Sequence, residues 1–212
     1  PVRLQTIADK NMVLPIVVYG DPVLRKVGTN IDKNYEVLEQ LIQDMFETMY
    51  KAKGVGLAAP QVGKAIRLFI VDTEPFTESD EDDEEDEFTP EQKAKLKDFK
   101  KVFINASILE EEGEEWSFNE GCLSIPKIRE DVKRKPNITI EYYDEKFKKY
   151  TEKYDGLIAR VIQHEYDHIE GKLFTDKISP FKRKLISGKL KDISIGKISA
   201  DYKIKIYKPK HK

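Results

Sequence analysis

Cysteine occurs once in the 212 residues, at Cys122. A disulfide within the chain is therefore excluded, and a lone thiol points to a reducing compartment. Histidine is almost as scarce. His164 and His168 stand together, and the only other one is His211, in the tail. No apolar run approaches the ~20 residues of a membrane span. The opening Pro1-Val2-Arg3-Leu4-Gln5 lacks the basic-then-apolar order of a secretory leader. These absences give a cytoplasmic location as the default. The chain begins with proline, and Met12 precedes the hydrophobic run Val13-Leu14-Pro15-Ile16-Val17-Val18. Residues 1–11 accordingly read as an expression remnant or a cleaved leader, and they are set aside from the fold.

What remains suits one sizeable domain, burying on the order of 70% of its unfolded surface. Val17 to Leu24 reads as a short strand running into a Gly-Asp-Pro turn. From Tyr35 to Lys53, apolar residues at Val37, Leu38, Leu41, Ile42, Met45, Phe46 and Met49 have helical spacing. Strands are expected at Arg67–Asp72, at Val102–Asn105, through Glu114–Phe118, and in the alternation of Val132, Ile138, Ile140 and Tyr142. Between the first two, residues 74–101 form an acidic insert. Its run from Glu78 to Glu87 cannot pack and reads as a solvated excursion, followed by a helix start at Thr89-Pro90-Glu91-Gln92. Asp155-Gly156 opens a largely apolar helix that carries both clustered histidines. Residues 181–212 are rich in lysine, opposed only by Asp192 and Asp201. That excess reads first as a solubilising surface and second as an attraction to RNA or another polyanion.

The stretch Gly54-Val55-Gly56-Leu57-Ala58-Ala59-Pro60-Gln61-Val62-Gly63 imitates a dinucleotide-binding loop. Such a loop needs a strand before it and a helix after it, and here the order is reversed. A Walker loop fails too, because Gly63-Lys64 is followed by Ala65. What is left is a small-residue loop that lets backbone approach a ligand and carries one amide side chain, Gln61.

His164 and His168 lie one above the other on a helix face, so both imidazoles can reach one metal ion. Glu165 beside them can then contact a metal-bound water. A catalytic metal of this type takes three protein ligands and leaves one position open. Cys122 is the best third ligand, since a thiolate is a soft, strong donor and no other cysteine competes. An inert buried thiol, or a Cys-His nucleophile, are the other readings of Cys122. A metal would lower the pKa of its water from about 15.7 toward 7. Glu165 would take the proton and return it to a leaving amine, while the side chain of Gln61 and the backbone N–H of Leu123 would face the developing oxyanion. The reaction class is metal-assisted hydrolysis of an amide.

Three separated motifs, Gly54-Val55-Gly56-Leu57-Ala58-Ala59-Pro60-Gln61, Glu120-Gly121-Cys122-Leu123-Ser124 and Gln163-His164-Glu165-Tyr166-Asp167-His168, resemble the three signatures of peptide deformylase, in that family's order. The resemblance covers roughly Leu14 to Pro180 apart from the acidic insert. It implies removal of the N-formyl group from formylmethionyl nascent chains. It also implies a divalent metal on Cys122, His164 and His168, natively Fe2+ and replaceable by Ni2+, Co2+ or Zn2+. Gly56 would hold substrate backbone, Val55 and Leu157 would border a methionine pocket, and Arg129 would stand at its mouth. Glu120 and Arg134 would form a structural ion pair, and the basic tail would contact the ribosome. Arg160 departs from the aliphatic residue common at a pocket position. The fold expected is α+β: antiparallel or mixed sheets around a central helix carrying His-Glu-x-x-His, with an N-terminal amphipathic helix and a basic tail. A catalytic domain would span 12–180 and an extension 181–212.

Two rival readings stand beside this one. A metallopeptidase of another His-Glu-x-x-His family would take its third ligand downstream, where only Asp176 or the remote His211 is on offer. A non-catalytic ribosome- or polyanion-binding protein with a structural zinc would need four protein ligands and no Glu165.

Overall fold

The computed structural model describes residues 11–77 and 89–209. The acidic run from Glu78 to Glu87, residues 1–10 and His211 lie outside the described residues. Among the described residues nine strands occur in chain order: β1 (Ile16–Val17), β2 (Gly56–Ala58), β3 (Leu68–Asp72), β4 (Lys100–Glu112), β5 (Trp116–Cys122), β6 (Ile125–Arg134), β7 (Asn137–Tyr143), β8 (Lys149–Asp155) and β9 (Ile204–Lys205). Four α-helices accompany them: α1 (Leu38–Lys51), α2 (Pro90–Lys97), α3 (Gly156–Ile169) and α4 (Pro180–Ser194).

The main sheet has the order β2-β3-β4-β7-β8 and is antiparallel throughout. β5 and β6 form a separate antiparallel hairpin, and β1 pairs with β9 in parallel. Alternation along β3 shows how the layers sort. Leu68 and Ile70 join Leu41, Met45 and Met49 of α1 in one core cluster, while Phe69 and Val71 join Ala159, Ile162 and Ile169 of α3 in another. All five β3 residues are buried because both faces are covered. That is why the segment reads as a continuous apolar run.

The helices begin where local chemistry permits. α1 starts at Leu38 rather than Tyr35, because Val37 adopts a left-handed backbone (φ 55°) that cannot continue a helix N-terminally. Thr89 caps α2 in a reciprocal pair with Gln92, and Pro90 takes the first position. α3 ends in a six-to-one bond from Lys172 N–H to the Asp167 carbonyl, with an inner bond of shorter span from Gly171 N–H to the His168 carbonyl. Gly171 sits there at φ +69°, the left-handed position that favours glycine. Among the described residues no helix is long and apolar enough to cross a membrane.

Several elements differ from expectation. The small-residue loop holds the three-residue strand β2 and a 3-10 turn over Ala59–Val62. β4 runs on for thirteen residues, well beyond Asn105. The lysine-rich tail, whose sequence showed a charge but no fold, is structured over α4 and β9. α4 buries Ile186, Leu190 and Ile193, and the chain then returns to pair β9 with β1.

Candidate metal centre

α3 lies between the main sheet and the β5–β6 hairpin, and nine of its fourteen residues are buried. A helix buried on so many sides should be apolar throughout. Arg160, Gln163, Glu165, Asp167 and His168 are buried instead, so each needs a partner or a task.

Cys122 is the last residue of β5, and Leu123-Ser124 turns the chain back into β6, with Cys122 opposite Ile125. This hairpin brings the thiol to the histidine face of α3. Sγ of Cys122 lies 3.3 Å from Nε2 of His168, and the ligand atoms of Cys122, His164 and His168 all fall within 4.8 Å of one another. Glu120, two residues before Cys122 and so on the same strand face, places Oε2 2.9 Å from Nδ1 of His164. That bond occupies the inner ring nitrogen and leaves Nε2 for the centre, the usual arrangement behind a metal-bound histidine.

The Glu120 carboxylate is itself gripped by three side chains from two elements, β6 and α3. Arg134 of β6 donates twice, at 2.7 and 3.0 Å, and also bonds Asp167 at 2.7 Å. Arg160 of α3 donates to Glu120 at 3.0 Å, to the Val132 carbonyl at 3.0 Å and to the Trp116 carbonyl at 2.7 Å. Its guanidinium stacks 4.4 Å from the Trp116 ring centroid. Burial would raise the Glu120 carboxyl, but His164 and Arg134 outweigh burial and hold it well below the usual carboxylate range. Burial also opposes charge on His164, yet its hydrogen bonds to Cys122 and Glu120 raise it well above an ordinary imidazole. His168, buried and beside a charged His164, is pushed well below.

Glu165 has the opposite surroundings from Glu120. Its Oε2 is buried with no hydrogen-bond partner, and burial pushes the carboxyl up to about 7. Its other oxygen lies where a Cβ on Gly56 would come within 2.5 Å, so only glycine at 56 admits it. Gln61 is 2 % exposed and directs Nε2 toward Sγ of Cys122 at 3.5 Å and Oγ of Ser124 at 3.2 Å. Its Oε1 accepts the Ala58 N–H at 2.9 Å, which fixes which end of the amide faces the thiol.

The remaining expected residues differ in burial and in partners. Val55 and Leu157 are half-buried, Val55 beside β2 and Leu157 on the first turn of α3. Arg129 is exposed and folds across the hairpin onto Asn119, at 2.8 Å to the side-chain oxygen and 2.6 Å to the carbonyl. Two residues take roles that the sequence did not disclose. Arg160 points into the Glu120 network instead of an aliphatic pocket wall, and Asp167 supplies a second carboxylate to Arg134. An arginine inside the run Leu157 to Ile162 was the available signal, since such a residue demands a buried counter-charge.

The donor set fits one divalent ion. One thiolate and two imidazoles make a three-ligand site of the catalytic kind, and the unpartnered Glu165 oxygen beside it suits a water on the fourth position.

Comparison with known proteins agrees. The model of the family described as Polypeptide deformylase matches residues 13–184. A peptide deformylase from Flavobacterium psychrophilum is 65% identical over 195 residues, covering 92% of this chain and 97% of the relative. One from Flavobacterium johnsoniae is 64% identical, covering 92% and 96%. The crystal structure of a peptide deformylase from Legionella pneumophila superimposes with a TM-score of 0.70 at 36% identity, covering 87% of this chain and 97% of that one. On the family model's match over residues 13–184 and the identity to these relatives, the chain belongs to the peptide deformylase family.

Proposed function

We propose that Cys122, His164 and His168 hold one divalent metal ion, natively Fe2+, at which this enzyme removes the N-formyl group from formylmethionyl nascent chains and releases formate. The observation that carries this reading is the convergence of one thiol and two imidazoles beside a buried carboxylate that has a free oxygen. When bound, the ion supplies Lewis acidity, polarising a carbonyl and acidifying water toward neutral pH. Ni2+, Co2+ or Zn2+ can replace Fe2+, because a Cys-His-His donor set accepts all of them.

The chain's own residues account for the rest. Glu165 accepts a proton from the attacking water and delivers it to the departing methionine nitrogen as the C–N bond to the formyl carbon breaks. Gln61 and the Leu123 N–H donate to the formyl oxygen as its charge grows, and one such donor is worth ~2.7–4 kcal/mol. Gly56 admits Glu165 and leaves backbone free to hold the substrate. Val55 and Leu157 border the methionine side chain, with Arg129 at the mouth. The Glu120–Arg134–Arg160–Asp167 network orients His164.

We assign catalysis to residues 12–180, a cytoplasmic location to match a nascent-chain substrate, and a ribosome contact to the basic C-terminal tail, residues 181–212. Neither rival reading gains support. A structural zinc leaves Glu165 without a purpose, and Asp176, the candidate downstream ligand, is bound to Arg25. The test is formate release from formyl-Met-Ala-Ser by anaerobically purified protein of known metal content, with unformylated peptide as control. Release from the formylated peptide alone is expected. A metal-loaded sample that releases none would sink the assignment.

A further inference from the structure

The turn that carries the thiol is not one its own sequence should hold. Leu123-Ser124 joins β5 to β6 as a two-residue connection, and the strand register shifts beside it, between Gly121 and Cys122. Two-residue hairpins favour turns with positive φ at one or both central positions, because these match strand twist. Neither Leu123 nor Ser124 has a positive φ, and neither is glycine or asparagine. The turn is instead held from outside. The Tyr202 hydroxyl donates to the Leu123 carbonyl at 2.7 Å, and the Tyr19 N–H donates to the Ser124 carbonyl at 2.8 Å. Both tyrosines belong to one clasp. The C-terminal arm after α4 pairs β9 with β1 through Ile16 N–H to the Lys203 carbonyl at 2.9 Å and Val18 N–H to the Lys205 carbonyl at 3.2 Å. Lys127 of β6 reaches the same arm at Ser199, 3.0 Å away.

We infer that Tyr202 of the C-terminal arm is a positioning residue for catalysis, fixing the Leu123-Ser124 turn and so the directions of the Cys122 thiol and the Leu123 N–H. The inference rests on the roles given above to Cys122 and Leu123. The arm reaches the turn at Leu123 and β6 at Lys127, so the turn that follows the thiol is held by a segment whose Tyr202 stands 79 positions after Leu123. Its lysines face solvent while Tyr202, Ile204 and Ile206 face inward against the core clusters. A displacement of about 1 Å in a reacting group can cost on the order of 10²-fold in rate, so one hydroxyl holding this turn has leverage.

Tyr202→Phe tests it, because the ring and its packing remain while the donor is lost. Three readouts are taken: kcat and KM on formyl-Met-Ala-Ser at matched metal content, amide hydrogen exchange over residues 122–125, and the rate at which a thiol reagent labels Cys122 in metal-free protein. Cys122 is the sole cysteine, so the labelling is unambiguous. The expected result is a kcat about tenfold lower with KM within twofold, together with several-fold faster exchange and labelling. Tyr207→Phe, in the same arm but 42% exposed, should change none of these. Unchanged exchange and labelling in Tyr202→Phe would overturn the inference, whatever happens to kcat. So would an equal loss in Tyr207→Phe, which would mean general loosening of the arm. Exchange and labelling need no turnover, so they decide this point even if the unaltered protein released no formate.

Discussion

Glu120 and Glu165 are equally buried, at 4% exposure each, and both neighbour His164. Their states are opposite. Glu120 accepts from two arginines and one histidine and stays anionic. Glu165 has an oxygen with no partner and a carboxyl pushed up to about 7. Burial is the same in both, so it is the hydrogen-bond partners that decide. Environments that drive two carboxyls apart in this way divide the labour of a site. Glu120 is spent on holding a ligand, and Glu165 is left free to move a proton.

The comparison breaks most severely at Glu165. Glu165→Gln should lower kcat by ~10²–10⁴-fold, the usual worth of a general acid/base, with metal content unchanged. Full activity in that variant would put the proton elsewhere. Gly56→Ala approaches the same residue from outside, by placing a Cβ within 2.5 Å of its Oε1. A loss of about 10²-fold in kcat is expected, since the carboxylate must shift by an ångström or so, and the metal should stay bound. Steady-state kinetics beside metal analysis would show either outcome.

Glu120→Gln should act in a different manner. It leaves the guanidiniums of Arg134 and Arg160 without their shared charge, which costs ~3–5 kcal/mol of stability. Loss of the bond to His164 should weaken metal affinity by ~10–100-fold. Denaturant unfolding and metal titration would measure both, and a variant that lost only rate would erase the distinction between the two glutamates.

The smallest effect calibrates the others. Asp176 is a half-exposed carboxylate paired with Arg25 at 2.5 Å. Burial raises its carboxyl, and the Arg25 hydrogen bond, the Leu173 N–H and the nearby arginine charges together outweigh burial and lower it below the ordinary value. A group with a depressed folded pKa stabilises above its unfolded pKa, near 3.9, and loses that contribution as pH falls through the folded value. Asp176→Asn should therefore cost only ~0.2–1 kcal/mol at pH 7, screened by solvent, and the difference should vanish in acid. Thermal unfolding at the two pH values checks it.

Much of the centre was legible in the sequence because its signals are local. His164 and His168 share a face by helical spacing alone, and a single cysteine in a chain with a metal helix has few uses. The apolar spacing of α1 likewise marks its buried side. The partners of those residues were not legible, since they come from distant segments. Nothing in the chain says that Arg160 stacks on Trp116, 44 positions away, or that Tyr202 reaches Leu123, 79 away. β2 was too short to alternate, so its glycine-rich stretch read as loop. In the tail, attention to the lysines hid the alternation Tyr202-Lys203-Ile204-Lys205-Ile206, which is a strand pattern.

The most direct measurement is metal content and formate release of Cys122→Ser, prepared beside the unaltered protein. A hydroxyl is a poor soft ligand, and the account predicts that both metal and activity are lost together. Retention of the metal with undiminished formate release would contradict it.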